Sequence, residues 1–145
     1  MIKGVLHSWL SADSEITSAL ATYQFTTGVD SPAIFTSRVI PKNASFPAII
    51  IDELGGPEFD TRSVLGADIG GDIRVYGDKN VSAKVLEDLA LNIWARVHRA
   101  ALDALLETKG YDNLGCRCQY PGQLDDPDGY PGYVMPYSVR VLAQA

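Results

Sequence analysis

The sequence predicts an α+β domain, with a mainly antiparallel sheet of about five strands packed on one face by a long helix and an N-terminal helix. Three observations carry the prediction. Residues Asp68–Gly77 (DIGGDIRVYG) put Ile73 and Val75 on one face and Asp72, Arg74 and Tyr76 on the other, the alternation of a half-buried strand. From Val81 the period lengthens to about 3.6 residues, so that Leu86, Leu89, Ala90, Ile93, Val97, Ala100, Ala101 and Ala104 share one helical face. Near the end, Tyr133, Met135, Tyr137, Val139 and Val141 alternate with Val134, Pro136, Ser138, Arg140 and Leu142, which reads as a closing strand.

Taken in order, Ile2, Val5, Leu6, Trp9 and Leu10 follow helical spacing, and Asp13 restarts the pattern with Ile16, Ala19 and Leu20. This is one helix with a break, or two short ones. A polar link containing Gly and Pro, Thr26 to Pro32, precedes a strand at Ile34–Ile40 that Pro41 ends, since proline donates nothing to a ladder. Phe46–Leu54 (FPAIIIDEL) is the most continuous apolar run, and its three isoleucines point to alternating faces, as in a central strand covered on both sides. Gly55 to Ala67 has no clear period and reads as a long loop or an extended hairpin arm.

After the alternating strand, Asp78 or Asn80 is placed to cap the long helix, and Gly110 to stop it. Such a helix would be roughly 40 Å long. It carries a second apolar stripe, Leu91, Trp94, His98, Leu102 and Leu105, beside its core face. Either another part of the chain covers this stripe or it is a subunit interface, because large exposed apolar patches are uncommon on monomers. Leu114, Cys116, Cys118 and Tyr120 then alternate as a strand, and YPGQLDDPDGYPG is a loop by its turn residues. Pro136 in the closing strand argues for a sheet edge or a bulge.

Size and charge narrow the function classes. At 145 residues the chain is one domain able to bury a core without disulfides or metal. The net charge of −6 and the dispersed basic residues do not form the Lys/Arg footprint of a protein that grips nucleic acid. No apolar run approaches the roughly 20 residues that span a bilayer, so no membrane role is expected. The N-terminal segment is amphipathic, unlike a signal peptide, and a single Cys pair two positions apart points to a reducing, cytoplasmic-type environment.

No motif for chemistry stands out. Cys116 and Cys118 could give two thiolates, but structural zinc wants four ligands, and His7 and His98 lie on separate helices. Asp125, Asp126 and Asp128 before Gly129 lack the alternating ligands and terminal Glu of a calcium loop. Ser63, Ser82 and Ser138 have no nucleophile-elbow context, and Gly66, Gly70 and Gly71 precede a strand where a dinucleotide fingerprint precedes a helix. No catalytic residue, cofactor or metal is expected.

The order of elements is more informative. The helix with Ile2, Leu6 and Leu10 followed by Asp13 and Ile16, the strand FPAIII at Phe46–Ile51, and the DIRVYG strand feeding the long helix together resemble the tail terminator, or tail completion, family of long-tailed bacteriophages and related tail-like particles. The resemblance covers most of the chain and rests on pattern and short local phrases; residues Cys116 to Tyr133 depart from it. It implies a non-enzymatic virion subunit that forms a homo-oligomeric ring, a hexamer, at the head-proximal end of the tail tube, assembled in the host cytoplasm. The ring would stop tube polymerisation and offer the head-joining surface, with the tail tube protein and the head-tail connector protein as partners and DNA as a non-specific passenger. A connector or neck protein of the same particle is the neighbouring reading, and a small ligand-binding domain or enzyme a more distant one. On the ring reading, the subunit contacts fall on Leu91, Trp94, His98 and Leu102 and on Glu58, Phe59 and Arg62 of the arm, because a closed ring needs two different matching patches. An acidic lumen would draw on Asp125, Asp126 and Asp128.

Overall fold

The structure is a computed structural model that describes residues 1–60, 65–124, 126 and 128–144, with the backbone alone at Phe59 and Asp60. Two short helices open the chain, α1 (Ile2–Ser11) and α2 (Ser14–Ala19). The Asp13 carboxylate caps α2 by accepting from the backbone N–H groups of Glu15 at 2.9 Å and Ile16 at 3.2 Å, which is why the helix restarts there. α1 has no side-chain cap of its own. Glu53, from a strand, accepts from Lys3 N at 3.1 Å and so meets the free amides of the first turn.

The strands are β1 (Thr22–Thr26), β2 (Val29–Pro32), β3 (Ile34–Phe35), β4 (Ala48–Gly55), β5 (Glu58–Asp60), β6 (Leu65–Tyr76), β7 (Tyr111–Cys118), β8 (Gly122–Gln123) and β9 (Gly132–Ala143). β1 and β2 form a separate hairpin. The main sheet runs β3-β4-β6-β9-β7, with β5 beside β6 and β8 beside β9. All pairings in it are antiparallel except β3 with β4. The twelve-residue strands β6 and β9 are its spine and pair continuously from Gly66↔Leu142 to Tyr76↔Gly132.

Two helices complete the layer, α3 (Ala83–Val97) and α4 (Asp103–Glu107). Ile2, Leu6, Leu10 and Ile16 from the first two helices meet Leu86, Leu89, Ile93 and Val97 of α3 over Ile49, Ile51, Ile73, Val75, Met135, Val139 and Val141 of the sheet. The other face carries a smaller core at one end, where Ala48 and Ile50 pack with Ala33 and Phe35 under Tyr23 and Phe46. β4 is thus covered on both faces, as its run of isoleucines requires.

Several expectations are corrected. The long helix is two helices. α3 has fifteen residues, about 22 Å, and ends where His98 is extended and Arg99 takes φ 60°. No Gly or Pro marks this break; tertiary bonds hold it, with Arg99 N donating to the Cys116 carbonyl at 2.9 Å. The turn drops Leu102 fully into the core and leaves Ala101 outside, the reverse of the expected placement, and buries Leu106 as well. The helix cap is Ser82, whose Oγ accepts from Val85 N at 3.2 Å, while Asp78 closes the preceding turn by accepting from Asn80 N.

The link at Thr26–Pro32 is largely the β1–β2 hairpin, turning at Gly28 with φ 83°. The strand expected at Ile34–Ile40 stops at Phe35. Pro136 lies in a central strand, not at an edge. Its carbonyl accepts from Gln119 N at 2.8 Å, so its nitrogen faces the break between β7 and β8, where no ladder bond is forfeited.

Candidate interaction surface

The end of α3 lies along the outer edge of β7, and that placement decides what its second stripe does. Trp94 Nε1 donates to the Cys118 carbonyl at 3.0 Å, Cys118 N donates to His98 Nδ1 at 3.1 Å, and Arg99 N takes the Cys116 carbonyl. Backbone groups that an edge strand leaves open are satisfied here by the helix end, which blocks pairing with another strand. Trp94 and His98 therefore serve this chain first. Their rings stack with centroids 5.8 Å apart, and Tyr120, 65% exposed, meets Trp94 edge-on at 5.3 Å. Leu91 is half-buried beside them, and Leu102, buried in the core, is withdrawn from the stripe.

Next to this cluster lies a cavity of about 630 Å³, lined among others by His98, Arg99, Ala101, Asp103, Leu114 and Arg117. A smaller one of about 390 Å³ adjoins it on the uncovered sheet face, over Asp68, Ser138 and Arg140. There the Arg140 guanidinium donates to both Asp68 oxygens, at 2.8 and 3.0 Å, and this hydrogen bonding holds the Asp68 carboxyl below its ordinary range. The larger cavity has Asp103 and Cys116 among its lining residues, and the smaller has Asp68, engaged by Arg140, and Ser138. Among the described residues no group of three or more His, Cys, Asp or Glu is arranged to hold a metal ion.

Cys116 and Cys118 point into the core and are free thiols. Burial pushes the first up to about 11 and, together with the neighbouring sulfur, the second up to about 12, the opposite of an activated thiolate.

The arm is a hairpin continuous with the sheet. β4 and β5 follow one another along β6, whose root is paired to β9 on its other side. Glu58 is exposed on it; Arg62 and the Phe59 side chain lie outside the described residues. In the acidic loop Asp125 likewise lies outside them, Asp128 is exposed, and Asp126 builds a turn by accepting from Tyr130 N at 3.1 Å. The sequence reading passed over the β1–β2 hairpin, whose Phe25 and Val29 are 51% and 54% exposed. The alternation of Tyr23 and Phe25 just before Thr27-Gly28 was the available signal.

These features define a small α+β domain with helices on one sheet face and with aromatic and arginine-bearing surfaces. No protein-family model matches the chain, and no curated protein is similar to it in sequence. Its fold is similar to that of a chain in the virion of a native gene transfer agent particle, with a TM-score of 0.65 at 14% identity, covering 98% of this chain and 95% of that one. At that identity the likeness establishes a shared fold over the whole length of both chains.

Proposed function

We propose that this protein is a structural subunit of a phage-like particle, forming a ring at the head-proximal end of the tail tube that stops tube polymerisation and presents the head-joining surface. The observation that carries the reading is the likeness, over 98% of this chain, to a chain in the virion of a native gene transfer agent particle, taken together with the resemblance of the sequence to tail terminators. The surfaces support it. The stripe around Leu91, Trp94 and His98 lies on a lateral edge of the sheet and is offered to the next subunit of a hexameric ring. Glu58, Phe59 and Arg62 of the arm are offered as the second, different patch of the subunit contact. The acidic loop at Asp125, Asp126 and Asp128 is assigned to a lumen through which DNA passes without adhering.

Light scattering on the purified protein, alone and with its tail tube protein, tests the reading. A ring-sized mass, or a monomer that becomes a ring on the tube, is the expected result. A monomer indifferent to tube protein would overturn it, and binding to the connector with no capping of tubes would favour a neck protein.

A further inference from the structure

A ring closes when one patch of a subunit fits a different patch of its neighbour. The chain carries two unlike patches on opposite sides of its sheet. On the β3 side, the β1–β2 hairpin pairs with no strand of the main sheet but packs the Tyr23 and Phe25 rings on Phe35. Phe25 and Val29 remain half exposed, and Asp30, which accepts from Gln24 Nε2 at 3.1 Å, is exposed next to Val29. On the β7 side, four strand spacings or about 19 Å away, lies the 630 Å³ cavity at the α3–α4 turn. Its walls are apolar at Ala101 and Leu114, the latter 50% exposed, and charged at Arg99, Arg117 and Asp103, two cations to one carboxylate. Neither arginine has an ion-pair partner among the described residues, and neither does Asp30. Arg99 is also the one described non-glycine residue with positive φ, a conformation the Cys116 carbonyl holds in place.

We propose that the β1–β2 hairpin of one subunit seats in the α3–α4 cavity of the next copy of this chain, Phe25 and Val29 against its apolar wall and Asp30 toward Arg99 and Arg117. The occupant is a second copy because apolar surface and charge on the two patches are complementary, and because patches on opposite edges repeat around a ring without competing. The cavity adjoins the Trp94–His98–Tyr120 cluster, so the two make one continuous contact. This inference rests on the ring reading above and specifies its interface.

The test is a chain carrying both Val29→Cys and Ala101→Cys, two exposed positions, treated with a short bismaleimide under conditions in which the wild type forms rings. The buried native thiols stay silent. The expected result is a covalent ladder on a denaturing gel that stops at the ring number, absent from either single variant. Asp30→Arg and Arg117→Glu should each weaken assembly about tenfold, and the pair together should restore it. Intact rings with no ladder and no response to charge reversal would overturn the interface while leaving the ring reading standing. A cross-link to tube protein instead of to self would overturn it too, and a wild type that never forms rings would overturn both.

Discussion

Gly70 and Gly71 are adjacent in β6, yet their substitution by alanine should differ sharply. A Cβ on Gly71 would overlap the Asp52 carbonyl oxygen and come within 2.7 Å of Tyr137 Oη, which donates to that same carbonyl at 2.7 Å. The first obstacle is backbone of the neighbouring strand, so β4 must move or the ladder must open. Overpacking of this kind costs about 1–3 kcal/mol, and loss of the partly buried hydrogen bond about 1 more. Gly71→Ala should therefore destabilise by about 2–4 kcal/mol. With a urea dependence of about 2 kcal/mol per molar, the midpoint falls by roughly 1–2 M. On Gly70 the nearest atom to a new Cβ is the Tyr137 carbonyl at 3.3 Å, a contact relieved by a few tenths of an ångström, and the change stays within about 1 kcal/mol. Urea unfolding followed by tryptophan fluorescence reads both. Equal midpoints for the two variants would refute the claim that this face of β6 is closed by β4 and Tyr137.

Three further outcomes follow from the same geometry. Arg96 lies 3.8 Å over the Trp9 ring and donates to the Trp9 carbonyl at 3.2 Å, while Trp9 Nε1 donates to the Arg96 carbonyl at 2.8 Å. Arg96→Ala should cost about 1–3 kcal/mol in thermal or chemical unfolding, and Arg96→Lys should recover less than half, because an ammonium cannot reproduce the planar stack. Trp94→Phe removes the donor to the Cys118 carbonyl and should cost about 1–2 kcal/mol while raising hydrogen exchange at Cys118, the amide bonded to the adjacent His98. The raised thiols set a pH dependence. In the unfolded chain they ionise near 9, in the folded chain near 11 and 12, so above pH 9 the unfolded state binds fewer protons and stability falls as pH rises. The loss should run from about pH 9 to 12 and shrink in a Cys116→Ala, Cys118→Ala chain, leaving the part due to Tyr137, whose hydroxyl burial also pushes up.

The strands were legible where alternation met burial on one face, as at Ile73, Val75, Val139 and Val141, and β4 was legible because three consecutive isoleucines need cover on both sides. Asp13 announced the second helix because capping is a local interaction. What escaped depends on partners distant in sequence. The break after Val97 lies in a stretch with good helical periodicity, and it forms because His98 and Arg99 find bonds on β7 that no local pattern encodes. Leu102 was misplaced for the same reason. Pro136 was read as a marker of an edge or a bulge because the interruption in its neighbouring strand line is a feature of pairing, invisible along the chain. The candidate surface was half legible. The aromatic stripe stands out by spacing, but its commitment to the edge of β7 does not, and the β1–β2 hairpin was hidden by short strands of mixed polarity.

The root of the arm carries a mechanical consequence. β6 runs without interruption from the hairpin into the core, where Ile73 and Val75 are fully buried, and β9 is bonded along its length from Leu142 to Gly132. The companion line, by contrast, is broken at Gly55, where φ is 80° and the register slips. A load applied near Glu58 or Leu65 would be carried by one continuous strand and shed by the other, as in a cantilever with a single stiff rail. Tension applied at Leu65 would thus pass directly along β6 to the centre of the domain, while the line of β4 and β5 could yield at Gly55.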